Sequence, residues 1–311
     1  MAFPHLDEWR DSIFARIVKK VGSRQYWDTW AKDIARIAEH YITRIKALVE
    51  ADNTEISDAF EEFLRGLQDN LNPQVDQDQA IEMLAQHLIT RPVFDALFDG
   101  YSFSDSNPVS ISMQKMLDLL DLERLEKEQG LELDSFYKSV RDRAAGIKDP
   151  SAKQGIVKDL YETFFRSAFK DMADRLGIVY TPVEIVDFIL NSADEALREH
   201  FDKGITDKDV HVLDPFTGTG TFIVRLIQSG LIKPEDLERK FRYELHANEI
   251  VLLAYYVAAI NIEEAYHGVA GGEYQSFEGI VLADTFQMHE EDDQDELPGM
   301  ETFPENNERV K

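Results

Sequence analysis

Between residues 26 and 50, Trp27, Trp30, Ile34, Ile37, Tyr41, Ile45 and Leu48 recur at intervals of three and four. That spacing puts them on one face of a helix, and Asp28 and Lys32 form a favourable pair on its outer side. Ile56, Phe60, Phe63, Leu64 and Leu67 make a second stripe, and Ile81, Leu84, Ala85 and Leu88 a third. Arg91-Pro92 is expected to end the third helix, because proline lacks a donor and disfavours helix before itself. Residues 100–108 (GYSFSDSNP) read as a loop. Helical pattern returns at 111–129, 136–145 and 151–176, where Ile156, Leu160, Phe164, Phe165 and Phe169 face inward. From residue 6 to about 176 the chain is expected to be a helical bundle.

After Gly177 the pattern changes. Residues 210–213 form a short apolar, extended run, and 222–228 are helical. Residues 241–247 are a second extended candidate before an apolar helix at 250–262. Residues 279–283 are a third. Strand alternating with helix predicts a parallel sheet. The expected fold is therefore an α-helical bundle (1–175) followed by an incomplete Rossmann-like α/β sheet (176–287). Residues 288–311 carry nine acids against two bases and are expected to be a solvated, disordered tail.

Composition narrows the function. The 311 residues include no cysteine, which excludes disulfides, thiolate metal sites and cysteine nucleophiles. The eight histidines show no metal-ligand spacing, so no metal is expected. His87, inside a helical stripe, reads as a core histidine, and His246 as structural. No apolar run reaches the roughly 18–20 residues of a membrane span, and no signal peptide is read at the start, so a cytoplasmic protein is expected. The net charge of −27, from 60 acids and 33 bases, opposes DNA binding by this chain alone, since phosphate contacts dominate such affinity.

Four signals carry chemistry. Asp214-Pro215-Phe216-Thr217-Gly218-Thr219-Gly220-Thr221-Phe222 lies between a strand and a helix. Its glycines admit a ligand close to the backbone, and the helix start offers free amides. It is neither a P-loop nor the G-x-G-x-x-G fingerprint. A zwitterionic amino acid would suit it, with Asp214 taking the ammonium; a purely structural turn is the alternative. Glu249, 35 positions on, can accept both hydroxyls of a ribose from the end of the second strand. The usual spacing is about 20 residues, and an inserted helix at 233–240 is expected to lengthen it. The alternative is an acid in the first turn of the next helix. Asp284, followed by Thr285-Phe286, can accept from an adenine amine or simply cap a turn. Tyr180-Thr181-Pro182 opens a helix at 183–191, with Thr181 suited to cap it.

Taken in order, these motifs resemble those of the gamma-class adenine-N6 DNA methyltransferases. The segments at 83–98, 107–110, 176–184 and 244–256 narrow the resemblance to the Type ISP single-polypeptide restriction-modification enzymes, over roughly residues 5–290. The resemblance implies S-adenosylmethionine as cofactor. Tyr180, Thr181 and Pro182 would pack against its methionine end and the 214–222 turn would hold it. Glu249 would bind the ribose, Ile250 would lie on the adenine, and Asp284 would accept its amine with Thr285 and Phe286 beside it. The helical part would be the coupler between a helicase motor and the methyltransferase.

Departures from the family limit that expectation. Catalysis there needs Asn/Asp-Pro-Pro-Tyr/Phe, whose polar groups grip the target amine and whose aromatic stacks on the flipped base. No Pro-Pro occurs in this chain, and Asn72-Pro73 and Asn107-Pro108 lack the second proline and the aromatic. No catalytic residue is therefore expected here, and the chain reads as a fragment. DNA contact and the helicase, nuclease and target-recognition domains would be supplied in cis by the rest of the enzyme. A second expectation is an inter-domain coupling module that binds no cofactor by itself.

Overall fold

The structure, a computed structural model, describes residues 23–51, 53–97, 103–120, 181–286 and 306, with side chains from 35 onward except 70, 96 and 97. The helices expected at 136–145 and 151–176, part of that at 111–129, Tyr180, and all of the acidic tail but Asn306 lie outside these residues. In chain order the elements are α1 (Ser23–Val49), α2 (Thr54–Asn70), α3 (Gln77–Leu97), α4 (Phe103–Ser106), α5 (Pro108–Leu119), α6 (Val183–Phe201), β1 (Val212–Asp214), α7 (Thr221–Gln228), α8 (Leu237–Arg239), β2 (Leu245–Glu249), α9 (Leu252–Ala270) and β3 (Ile280–Leu282).

The helical region follows its stripes. Tyr41, Ile45 and Val49 of α1, Phe60, Phe63 and Leu67 of α2, and Ile81, Leu84 and Ala85 of α3 are buried in one core. Local polar residues set the helix starts. Asn53 caps α2 by accepting from the amides of Glu55 and Ile56. Before α3, Asp76 and Gln79 satisfy each other's amides at 2.8 and 3.0 Å. Asn107 accepts from Ser110 N at 3.0 Å, and Pro108 takes the first turn of α5.

Two expectations are corrected here. Helix α3 does not stop at Arg91-Pro92; it continues to Leu97 with Pro92 inside. A proline interior to a helix costs about 3 kcal/mol, but Val93 and Phe94 beyond it are buried in the core, and that burial offsets the cost. The loop expected at 100–108 holds a helical turn at 103–106, because Phe103 and Ser104 are buried and Ser104 Oγ donates to Asp95 at 2.5 Å.

The second region is a three-stranded parallel sheet in the order β1-β2-β3. Val212 pairs with Leu245, Asp214 with Ala247, and Glu249 with Leu282, so the carboxyl ends of all three strands lie together. The strands are shorter than their apolar runs. Residues 241–244, expected as strand, form a π-helical turn. Lys240 there is fully buried and donates to the carbonyls of Asp207 and Val210 and to Glu244, partners that an extended backbone would not bring together. The helix expected at 233–240 shrinks to α8. The helix expected at 183–191 runs on to Phe201, and the one expected at 250–262 begins at Leu252 and reaches Ala270.

Helix α9 is apolar on every side, the pattern of a helix enclosed all round. One flank packs on α7, β2 and β3, and the other reaches α3. Tyr255 and Tyr256, both fully buried, cross that junction. Asn107 Nδ2 donates to Tyr255 Oη at 2.9 Å, and Tyr256 Oη sits 2.9 Å from His87 Nδ1. Phe94 and Phe103 meet the Tyr256 ring edge-on. His87 is thus the core histidine its helical stripe suggested.

Burial, helped by the Arg91 charge, pulls the His87 pKa down from 6.5 to about 3. The unfolded chain therefore binds a proton below pH 6.5 that the folded chain refuses. Unfolding free energy measured in denaturant should fall as pH drops below about 6.5, by at most about 1.4 kcal/mol per unit from this group. His87→Gln should flatten that slope. Tyr256→Phe, which strips a buried partner from His87, should cost about 1–3 kcal/mol.

Candidate functional site

The site begins where β1 ends. The backbone turns sharply after Asp214 through Gly218 (φ 57°) and Gly220 (φ 86°), both left-handed. Thr217 Oγ1 donates to Asp214 O at 2.9 Å, and Thr217 N donates to Asn248 O at 3.0 Å, which clips the turn to β2. Gly220 then starts α7, with no side chain capping it. A β-carbon on Gly220 would lie 3.2 Å from Ile262 Cγ1 and 3.3 Å from the Ala258 backbone, so this glycine lets α7 close on α9. At Gly218 a β-carbon would meet nothing within 4 Å. One glycine serves packing, and the other leaves the turn open.

Two carboxylates face this turn. One oxygen of Asp214 accepts weakly from Phe216 N at 3.3 Å; the other, Oδ2, is buried with no hydrogen-bond partner among the described residues. Burial raises the pKa of Asp214, as it would for any acid deprived of water. Glu249 is buried more deeply. Its Oε2 accepts from Gly218 N at 2.7 Å and its Oε1 from Val251 N at 2.8 Å. Burial nonetheless dominates and pushes its pKa up to about 7, although those amides oppose the shift and the Asp214 charge adds to it.

Asp284 stands two residues past β3, half-buried. Its Oδ1 accepts from Phe286 N at 3.0 Å and its Oδ2 from Asn72 Nδ2 at 3.3 Å. Thr285 Oγ1 donates to Pro215 O at 2.7 Å and accepts from Asn248 Nδ2 at 3.3 Å, so it ties the end of β3 to the end of β1. The exposed rings of Phe216 and Phe286 lie 5.4 Å apart, and Ile250 is partly exposed beside Glu249. The arrangement offers hydrogen-bond acceptors in a poorly hydrated setting, with flat apolar surface next to them.

The structure thus brings together Asp214, Pro215, Phe216, Thr217, Gly218, Glu249, Asp284, Thr285 and Phe286. Thr219 is buried, and its carbonyl accepts from Asn261 Nδ2 at 2.9 Å; Phe222 packs into the core, and both fix the turn from behind. Thr221 opens α7. Thr181 and Pro182 sit exposed ahead of α6, which Asp187 and Arg225 fasten to α7 by paired 2.8 Å bonds. The expected Thr181 cap is not made: Pro182 holds the cap position without a side-chain bond, and its own ring presets the entry angle. Asn248, Asn261 and Asn72 escaped the sequence analysis, because their partners lie 37, 42 and 212 positions away. Among the described residues no group of three or more histidines or acids could hold a metal, and no helix is long and apolar enough to cross a membrane.

A parallel sheet with a glycine turn after β1 and acids at or just past successive strand ends is the front of a Rossmann-like sheet. Comparison with known proteins gives the family. Residues 26–152 match the coupler domain of Type ISP restriction-modification enzymes, and residues 152–305 match the N-6 DNA methylase family. A nuclease-deletion mutant of the Type ISP enzyme LlaGI, solved with a DNA substrate mimic, is similar at 47% identity and TM-score 0.84, over 98% of this chain and 24% of that one. The ATP-dependent Type ISP enzyme LlaBIII bound to DNA is similar at 48% identity and TM-score 0.85, over 98% and 21%. The DrdV–DNA complex is similar at 32% identity and TM-score 0.74, over 91% and 27%. No curated protein matches. The chain belongs to the Type ISP restriction-modification family, with a coupler followed by a methylase domain. It spans between 21% and 24% of the length of the two Type ISP enzymes.

The two glycines should separate in a stability measurement. Gly220→Ala should cost about 2 kcal/mol or more in denaturant unfolding, from the left-handed backbone plus the contact with α9. Gly218→Ala should cost only about 1 kcal/mol, from the backbone alone.

Proposed function

We propose that the chain holds S-adenosylmethionine at the strand ends and forms the cofactor half of an adenine-N6 DNA methyltransferase. The observation that carries this is Asp214 Oδ2, buried with no partner among the described residues, beside an open glycine turn. A desolvated acceptor of this kind is costly unless a ligand donor meets it, and the amino group of a zwitterion would do so. Glu249, one strand over, suits two ribose hydroxyls. Asp284 suits an adenine amine, with Ile250 and Phe286 offering apolar surface. Tyr180, Thr181 and Pro182 belong to the methionine end. The bound cofactor would supply an electrophilic methyl group; the chain's own residues bind and orient it.

Methyl transfer also needs the Asn/Asp-Pro-Pro-Tyr/Phe element, which this sequence does not contain. We therefore assign no catalytic residue here. DNA contact, target recognition, helicase and nuclease functions would come from further domains in cis, consistent with a charge of −27 that repels DNA. We set the domain division at 175/176, with 288–311 as a separate acidic segment, and place the enzyme in the cytoplasm. A second reading, a coupling module without cofactor, draws on Glu249: both its oxygens already hold backbone amides, as a purely structural acid would.

Calorimetric titration with S-adenosylmethionine separates the two. Binding by the wild type and its loss in Asp214→Ala supports the cofactor site; no binding by the wild type leaves the coupling module. Binding should also be linked to a proton. Glu249 has a pKa of about 7 before the ligand arrives, and hydroxyl donors with a nearby cation favour its ionised form. Affinity should therefore rise as pH increases through 7, with a proton released to buffer. Glu249→Gln should abolish that dependence.

A further inference from the structure

We propose that Asn72, in the coupler, is a positioning residue for the adenine end of the cofactor site, so that the methylase holds its cofactor through a group that the coupler supplies. The inference rests on the cofactor reading above and extends it across the domain junction.

Asn72 lies in the short connector between α2 and α3, 212 positions from Asp284, yet its amide donates to Asp284 Oδ2 at 3.3 Å. The donor is fixed before it meets the acid. Asn72 Oδ1 accepts from Gln74 N at 2.8 Å, which leaves the NH2 group turned outward. The connector is itself held by Val75 N on Asn72 O at 2.9 Å, by Gln68 Nε2 on Val75 O at 2.8 Å, and by burial of Leu71. Behind it, Asn107 and His87 hold the tyrosines of α9, so the coupler is seated on the same helix that packs under β2 and β3.

Asp284 has no strand pairing of its own, and a carboxylate on such a segment would otherwise rotate. Phe286 N holds one oxygen and Asn72 the other. A carboxylate offers about four acceptor positions, so two donors orient it and leave room for an amine. Asn72 is neutral, so it lends a donor without competing for the charge of a cationic ligand. An Asn72 displaced with the coupler would free the carboxylate, and discrimination for a six-amino purine would fall.

The test is calorimetric titration of the whole chain with S-adenosylhomocysteine and with its inosine analogue, which carries a carbonyl in place of the amine. The wild type should prefer the adenosine ligand. Asn72→Ala should lose roughly three- to tenfold in affinity for that ligand, with the inosine ligand unchanged. Asn72→Asp keeps the acceptor that holds Gln74 but sets an anion against Asp284, and should lose more of the same preference. Equal loss of both ligands would mean that Asn72 merely seats the connector, and no change in either would mean that it does nothing for the site; either overturns the proposal. If the wild type binds neither ligand, the cofactor reading itself falls and takes this inference with it.

Discussion

Tyr255 and Tyr256 decide how the two halves of this molecule meet. They are adjacent on α9, so they point to different sides of one helix, and both are fully buried at the junction. A buried phenol needs a partner, and each finds one on the coupler: Asn107 for Tyr255 and His87 for Tyr256. Asn107 also caps α5, so one side chain starts a helix and anchors a domain. The helix that the coupler grips is also the one that lies under β2 and β3. Close packing with phenol hydrogen bonds across it makes a junction of this kind stiff.

The strand ends present the opposite economy. Asp214, partly buried, and Glu249, buried, have no cation paired with them among the described residues, and burial raises the pKa of both. Such groups are destabilising in isolation and are typical of sites that receive a ligand. The backbone turns tightly beside them, through left-handed glycines on either side of Thr219. Asn248, Asn261 and Thr285 hold the turn from three directions. A rigid turn of this sort is preorganised, so little ordering remains to be done when a ligand enters.

Much of this was legible in the sequence. The stripes of α1, α2 and α3 and the strand–turn–helix at 214–222 follow directly from spacing, and of the ordered acids, Asp214 and Glu249 close β1 and β2, while Asp284 stands two residues past β3. Local rules failed where burial outweighed them. Pro92 sits inside α3 because the residues beyond it are core, and 241–244 coil because Lys240 must find acceptors. The contacts that join the halves were invisible, since nothing local in Asn72-Pro73 or Asn107-Pro108 names a partner more than a hundred positions away. Asn306 shows the same effect. It comes from an acidic stretch with no apolar pattern, yet its amide is buried and brackets both backbone groups of Leu282 in β3.

Amide hydrogen exchange of the whole chain, with and without saturating S-adenosylhomocysteine, tests the central claim most directly. If the strand ends form a cofactor site seated on the coupler, exchange should slow at 214–220, 249–251 and 284–286, and also in the connector at 72–75. Slowing confined to other regions, or none at saturation, would contradict a cofactor site at these strand ends.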